Sequence, residues 1–110
     1  MKGDFEFESD WQLFKQRTVE WQERYMGRLL REYAEIISKD TKASERFWEL
    51  KERINKDKNH IGVVIEKRRI FMIRDVTRLI DDGVIEYDDL EGFSDGFLDR
   101  IKRYYDLIGE

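Results

Sequence analysis

Hydrophobic positions along this chain recur mostly three and four residues apart, the spacing that gathers side chains on one face of an α-helix. Trp11, Phe14, Thr18, Trp21, Tyr25, Leu29, Tyr33 and Ile36 form one such stripe, which Met26, Leu30 and Ile37 widen in its second half. The stripe predicts a first helix over residues 10 to 38, opened by a capping box in which Ser9 and Gln12 satisfy backbone N–H groups. Asp40 or Thr41 caps a second helix over 41 to 56, whose apolar positions Ala43, Phe47, Leu50 and Ile54 make one narrow stripe on a charged surface. The polar run NKDKNH then turns the chain.

Residues 61 to 82 are apolar on more of their circumference than any other segment. Ile61, Ile65, Met72, Ile73, Val76, Leu79 and Ile80 share one broad side at helical spacing, while Val63, Val64, Ile70 and Phe71 fall outside it. The pattern predicts a central helix over 61 to 82 with neighbours on more than one side. VVI and IFMI are also strand-like, so a hairpin over 61 to 73 is the rival, but the EKRR between them lacks the Gly, Asn or Asp of a tight turn.

Gly83 ends the central helix in the left-handed conformation, so Gly83→Val is expected to destabilise more than Gly62→Ala. Val84 and Ile85 then plug the core. Asp88 with Glu91 caps a short turn over 88 to 93 carrying Leu90 and Phe93, and Ser94 caps a last helix over 95 to 108. The buried stripe of that helix is Phe97, Ile101, Tyr104 and Ile108. The fold class expected is all-α, an antiparallel helical bundle of about four helices with a long first helix. Residues 1 to 110 form a single helical domain in this reading, with 1 to 8 as a loose arm.

Composition supports long helices, because the 110 residues contain no proline. They also contain no cysteine, which excludes disulfides, thiolate nucleophiles and zinc ribbons. The start MKGDFEFES has neither a basic lead nor an apolar run, so the expected location is the cytoplasm and no membrane is expected as a partner. Charge is uneven along the chain. Residues 41 to 80 carry 11 basic and 6 acidic groups, whereas 81 to 110 carry 3 and 10.

The motifs that resemble functional ones fail on their own chemistry. DDGVIEYDDL resembles the second half of a calcium loop, but Arg78 and Ile80 occupy the first and third ligand positions. As a DNA-reading helix-turn-helix the same corner would present Val84 to Phe93, with four acids and no base, to phosphate. His60 is the only histidine and adjoins a polar turn, which leaves no His-rich metal site. Glu49 and Lys51 have part of a nuclease spacing but no acidic strand before them, and neither a G-x-x-x-x-G-K loop nor a G-x-S-x-G turn occurs. No cofactor, metal site or catalytic residue is implied.

Two surfaces remain as candidates. Lys67, Phe71, Arg74 and Arg78 would lie on one face of the central helix, a basic track with an aromatic that suits a phosphate backbone. Eight acids and no base separate Arg78 from Arg100, so the track is expected to face this acidic segment within the fold, and nucleic acid is disfavoured as a partner. The second surface follows from helix length. At about 1.5 Å per residue the first helix extends roughly 43 Å and the second returns only about 24 Å. Trp11, Leu13 and Phe14 are therefore expected to project, either as an interface joined by Phe5 and Phe7 or covered by that arm and the last helix. The leading functional expectation is a non-catalytic intracellular interaction protein, working as a homodimer, adaptor, inhibitor or immunity-type binder of a partner protein. A nucleic-acid accessory protein comes second, and an enzyme with an unrecognised carboxylate site third.

Overall fold

The computed structural model describes residues 6–107. The chain is all-α, with four α-helices: α1 (Glu8–Ile37), α2 (Ala43–Asp57), α3 (Met72–Asp81) and α4 (Asp95–Leu107). No strand occurs among the described residues. The chain divides into two compact units, Met1–Glu20 with Glu66–Glu110 and Trp21–Ile65, and the long α1 contributes its first turns to one and its remainder to the other.

In the first unit, α1 begins one turn before the stripe that predicts it. Ser9 and Gln12 do not form the expected box; the Gln12 amide donates instead to the Glu8 carboxylate at 2.7 Å, with Glu8 and Asp10 both in the first turn. Acids there suit the positive helix end. Phe7, Trp11, Phe14 and Thr18 of this stretch are buried together with Met72, Val76 and Leu79 of α3 and Phe97 and Ile101 of α4.

The corner after α3 forms at Gly83, whose φ of +76° is the left-handed region, and the N–H groups of Val84 and Ile85 both donate to the Leu79 carbonyl. Val84, Ile85, Leu90 and Phe93 are buried, as their pattern predicts. The short turn spans Tyr87–Leu90 and is boxed by Glu86 and Asp89 rather than Asp88 and Glu91. Arg17 closes the loop that follows, donating to the carbonyls of Asp89 and Glu91 at 3.0 and 2.7 Å. Ser94 caps α4 through its hydroxyl, which accepts from the Phe97 N–H. The buried Asp10 carboxylate holds this cap in place, accepting from both the N–H and the hydroxyl of Ser94 at 2.7 Å. Ile108, expected in the stripe of α4, lies outside the described residues.

The second unit is a helical hairpin of α1 from Trp21 onward and α2, followed by residues 58 to 65. Pairs Lys39–Glu49, Arg53–Glu32 and Tyr33–Asp57 show the two helices to be antiparallel. α2 starts at Ala43 behind Lys42, which offers no side-chain cap, so neither Asp40 nor Thr41 caps it as expected. Arg46 serves the junction instead by donating to the carbonyls of Ile37 and Thr41.

The main departure from the sequence pattern is the central helix. Within residues 61 to 82 only Met72–Asp81 is α-helical; Arg69–Phe71 is a single 3-10 turn, residues 61 to 63 are a turn, and 64 to 68 are irregular, with Arg68 extended. The rival hairpin does not form either. Competing bonds explain the loss of helix. The Ile61 carbonyl accepts from the Gln22 side chain and the Gly62 N–H donates to His60 Nδ1, which takes both groups out of a helical ladder, while the helix-like bonds from the Val63 and Val64 N–H groups to the His60 carbonyl close a single turn. The run Val63, Val64, Ile65 adds β-branched side chains that are stiff in a helix and favour extended backbone.

Candidate protein-interaction site

The surface expected at the start of α1 is not exposed. Phe7, Trp11 and Phe14 are buried, with Phe14 fully so. Trp11 stacks on Phe14 at 5.9 Å, and Phe7 meets the Phe97 ring edge-on at 5.6 Å. Leu13 is half-buried beside Gly92, and Phe5 lies outside the described residues. Of the two alternatives drawn from helix length the covered one holds: Phe7 and α4 meet at this end, and the 3-10 turn adds Arg69. Arg69 binds the Glu8 carboxylate through two nitrogens at 3.1 Å with its guanidinium 5.5 Å from the Trp11 ring, and Arg100 lies over Phe7.

The basic track is also rearranged. Lys67 sits in the irregular segment before the 3-10 turn, Phe71 in that turn, and only Arg74 and Arg78 on α3, so no single helix face carries all four. Arg74 lies 4.2 Å from the Phe71 ring and pairs with Asp75, while Arg68 pairs with Glu66. These cations therefore take neighbours in sequence as partners, and the acidic loop between 86 and 92 is closed by Arg17 instead. The buried acids among the described residues, Asp10, Asp57 and Asp75, are each engaged, with Ser94, with Tyr33 and Arg53, and with Arg74. Burial pushes the Asp75 carboxyl above the ordinary carboxylate value, against the opposing pull of Arg74. No group of three or more His, Asp or Glu among the described residues is placed to hold a metal ion.

What the second unit does present is an uncovered apolar face. Helical spacing puts Met26, Leu30 and Ile37 on one side of α1, and Phe47, Leu50 and Ile54 on one side of α2. The two sides face the same way, because Leu30 and Ile54 meet in the wall of one hollow of about 210 Å³, lined also by Met26, Leu29, Tyr33 and Val63. Leu30 is 64% exposed, Phe47 62%, Trp48 58%, Ile37 52% and Ile54 43%. Scattered apolar residues are ordinary on a surface, and Trp48 lies about a quarter-turn round α2 from Phe47; Leu30 and Ile54 meeting at one hollow are the part of this set that forms a patch.

Charged groups border the face and enter the hollow, where Asp57 and Lys58 are part of the wall. At the hollow, the Tyr33 hydroxyl donates to Asp57 Oδ2 at 2.6 Å, and Arg53 Nη2 reaches Glu32 at 2.6 Å and Asp57 at 3.3 Å. At the other end, Lys39 Nζ reaches both oxygens of Glu49, and the Phe47 and Trp48 rings meet edge-on at 5.0 Å. Burial and the adjacent Asp57 carboxylate push the Tyr33 phenol up from 10.0 to about 12. The folded state thus holds this proton more tightly than the unfolded chain, so its stabilisation is complete below pH 10 and lost as pH climbs towards 12. Tyr33→Phe should cost about 1 kcal/mol in denaturant unfolding near neutral pH. The gap to wild type should close between pH 10 and 12; a gap that stays constant would detach Tyr33 from Asp57.

The sequence pattern assigns Leu30, Ile37, Phe47 and Ile54 to buried stripes and passes over Trp48. The available signal is breadth: the stripe of α1 widens in its second half, where the narrow stripe of a 15-residue α2 is the partner. No family model, curated protein or solved structure matches the chain.

Proposed function

We propose that this chain is a non-catalytic helical interaction module that docks on protein through the apolar face of the α1–α2 hairpin. The observation that carries the reading is the exposure of Leu30 and Ile54 on either side of one hollow, with exposed Ile37 and Phe47 on the same sides of α1 and α2. Aromatic and aliphatic anchors beside a pocket, ringed by charged side chains, are the anatomy of an interface core and rim. The second reading, phosphate-backbone binding by Lys67, Phe71, Arg74 and Arg78, is weaker because the four do not share one helix face and Arg74 pairs with Asp75. No helix among the described residues is long and apolar enough to cross a membrane.

The test compares the tagged wild-type chain with a Leu30→Asp/Ile54→Asp variant, by native size fractionation of the lysate of the cells that make it. Both positions are exposed, so each substitution should change stability by no more than about 0.5 kcal/mol, checked by circular dichroism melts. The wild type is expected to elute in an assembly larger than the 13.5 kDa chain and the variant as the chain alone. A wild type that elutes alone, or a variant that stays assembled, counts against the reading.

A further inference from the structure

We infer that the occupant of the hairpin face is an acidic amphipathic helix of a partner protein, its apolar stripe lying between α1 and α2 and its carboxylates meeting Lys51 and Lys58. The inference rests on the reading above that this face docks protein, and it names the partner's chemistry.

Charge carries the argument. Phe47, Lys51, Ile54 and Lys58 stand at i, i+4, i+7 and i+11, which at about 100° per residue places all four within roughly 60° of arc on α2. Apolar and basic side chains thus alternate along one line, with the two lysines two helical turns or about 10 Å apart. Both are exposed, and neither forms an ion pair among the described residues. The cause is local. The positions three and four residues from Lys51 are Phe47, Trp48, Ile54 and Asn55, and those before Lys58 are Ile54 and Asn55, none of them acidic. Glu45, Glu49 and Glu52 lie roughly 140° or more round the helix from Phe47, and Asp57 in the wall of the hollow is already held by Tyr33 and Arg53. On the side of α1 that carries Met26, Leu30 and Ile37 the only charged residue is Glu23, a turn before Met26. The face therefore sets two unpaired cations in an apolar surface. Its complement is an apolar stripe edged with carboxylates.

Shape selects a helix. No strand occurs among the described residues, so an extended segment would find no edge on which to pair its backbone, whereas a helix satisfies its own N–H and C=O groups. The hollow of about 210 Å³ is smaller than the ~300 Å³ at which pockets for small molecules begin, and suits one large side chain of that helix. Exposed Ile37 and Phe47 extend the two apolar rows beyond it for the next anchors. Other occupants fit less well. A second copy brings the same two lysines to the face and no acid from that line of α2 to meet them. An anionic bilayer repels a chain of net charge −4, and a phosphate backbone would leave the apolar rows wet.

The experiment titrates the purified full chain with two fluorescent synthetic peptides of about 18 residues, each with Leu along one helical stripe and, along its margins, Glu in one and Lys in the other. The Glu peptide is expected to bind with a dissociation constant of about 1–100 µM and to gain helical circular dichroism, and the Lys peptide to bind at least about 10-fold more weakly. That order opposes the net charge of the chain, which by itself favours the Lys peptide. Lys51→Glu/Lys58→Glu should reverse the order, and Leu30→Asp should weaken the Glu peptide at least about 10-fold. All three positions are exposed, so circular dichroism melts should stay close to wild type. A Glu peptide that does not bind up to about 200 µM overturns the inference, as do equal binding of the two peptides and an order that survives Lys51→Glu/Lys58→Glu. If Leu30→Asp abolishes co-sedimentation of the chain with anionic phospholipid vesicles, or dissociates a dimer of the purified chain, the face belongs to another occupant and the inference falls. Failure here is separable from failure of the functional reading. A lysate assembly lost in Leu30→Asp/Ile54→Asp but indifferent to Lys51→Glu/Lys58→Glu sinks only the acidic helix; a chain that elutes alone and binds neither peptide sinks both.

Discussion

Phe97→Ala should be the most damaging single truncation in the chain. Phe97 has no exposed surface, stacks against Phe93 at 5.2 Å, and receives the edge of Phe7 at 5.6 Å. One side chain thus ties α4 to the loop before it and to the residue preceding α1. Removing a buried phenyl ring costs about 3–5 kcal/mol, from lost transfer energy and from a cavity that rigid neighbours fail to fill. Against a typical stability of about 5–15 kcal/mol that loss lowers Tm by roughly 15 to 30 °C. Ile70→Ala is the matched control: Ile70 is 79% exposed, and its removal should leave Tm almost unchanged. If Phe97→Ala melts within a few degrees of wild type, α4 is not seated as described.

The second large effect is expected at Gly62. A Cβ built there would lie 2.3 Å from Tyr25 Cδ2 and 2.6 Å from Cε2, far inside contact distance. The ring has little freedom to retreat, since His60 stacks against it at 5.0 Å and the Arg28 guanidinium lies 4.7 Å from its centroid. The backbone is equally pinned, with Gly62 N–H on His60 and the Ile61 carbonyl on Gln22. Overpacking such a site costs about 1–3 kcal/mol, and the upper part of that range is expected for Gly62→Ala. Gly83 is the opposite case. Its φ is positive but nothing lies within 4 Å of a Cβ placed there, so Gly83→Val meets only the left-handed penalty of about 1–2 kcal/mol. The order drawn from sequence is therefore reversed: Gly62→Ala should unfold at lower denaturant than Gly83→Val. The opposite order in urea midpoints would mean that the Tyr25 ring moves aside.

Both contrasts mark where local pattern stops being informative. The extents of α1, α2 and α4, the left-handed corner at Gly83, the buried plug of Val84 and Ile85 and the Ser94 cap were legible in the sequence. Each depends on side chains and backbone groups within about one helical turn, and periodicity and capping report such short-range relations directly. The start of the predicted central helix was misread in part because the Ile61 carbonyl is taken by Gln22 and Gly62 packs on Tyr25, both nearly forty residues earlier. The same limit governs the candidate site. Periodicity established that Trp11 and Phe14 share a face, as do Phe47 and Ile54, and both pairs read as buried stripes of amphipathic helices. Only the tertiary structure decided that the first pair is buried while the second stands open, because a one-dimensional pattern records which residues need cover but not which neighbour arrives to provide it.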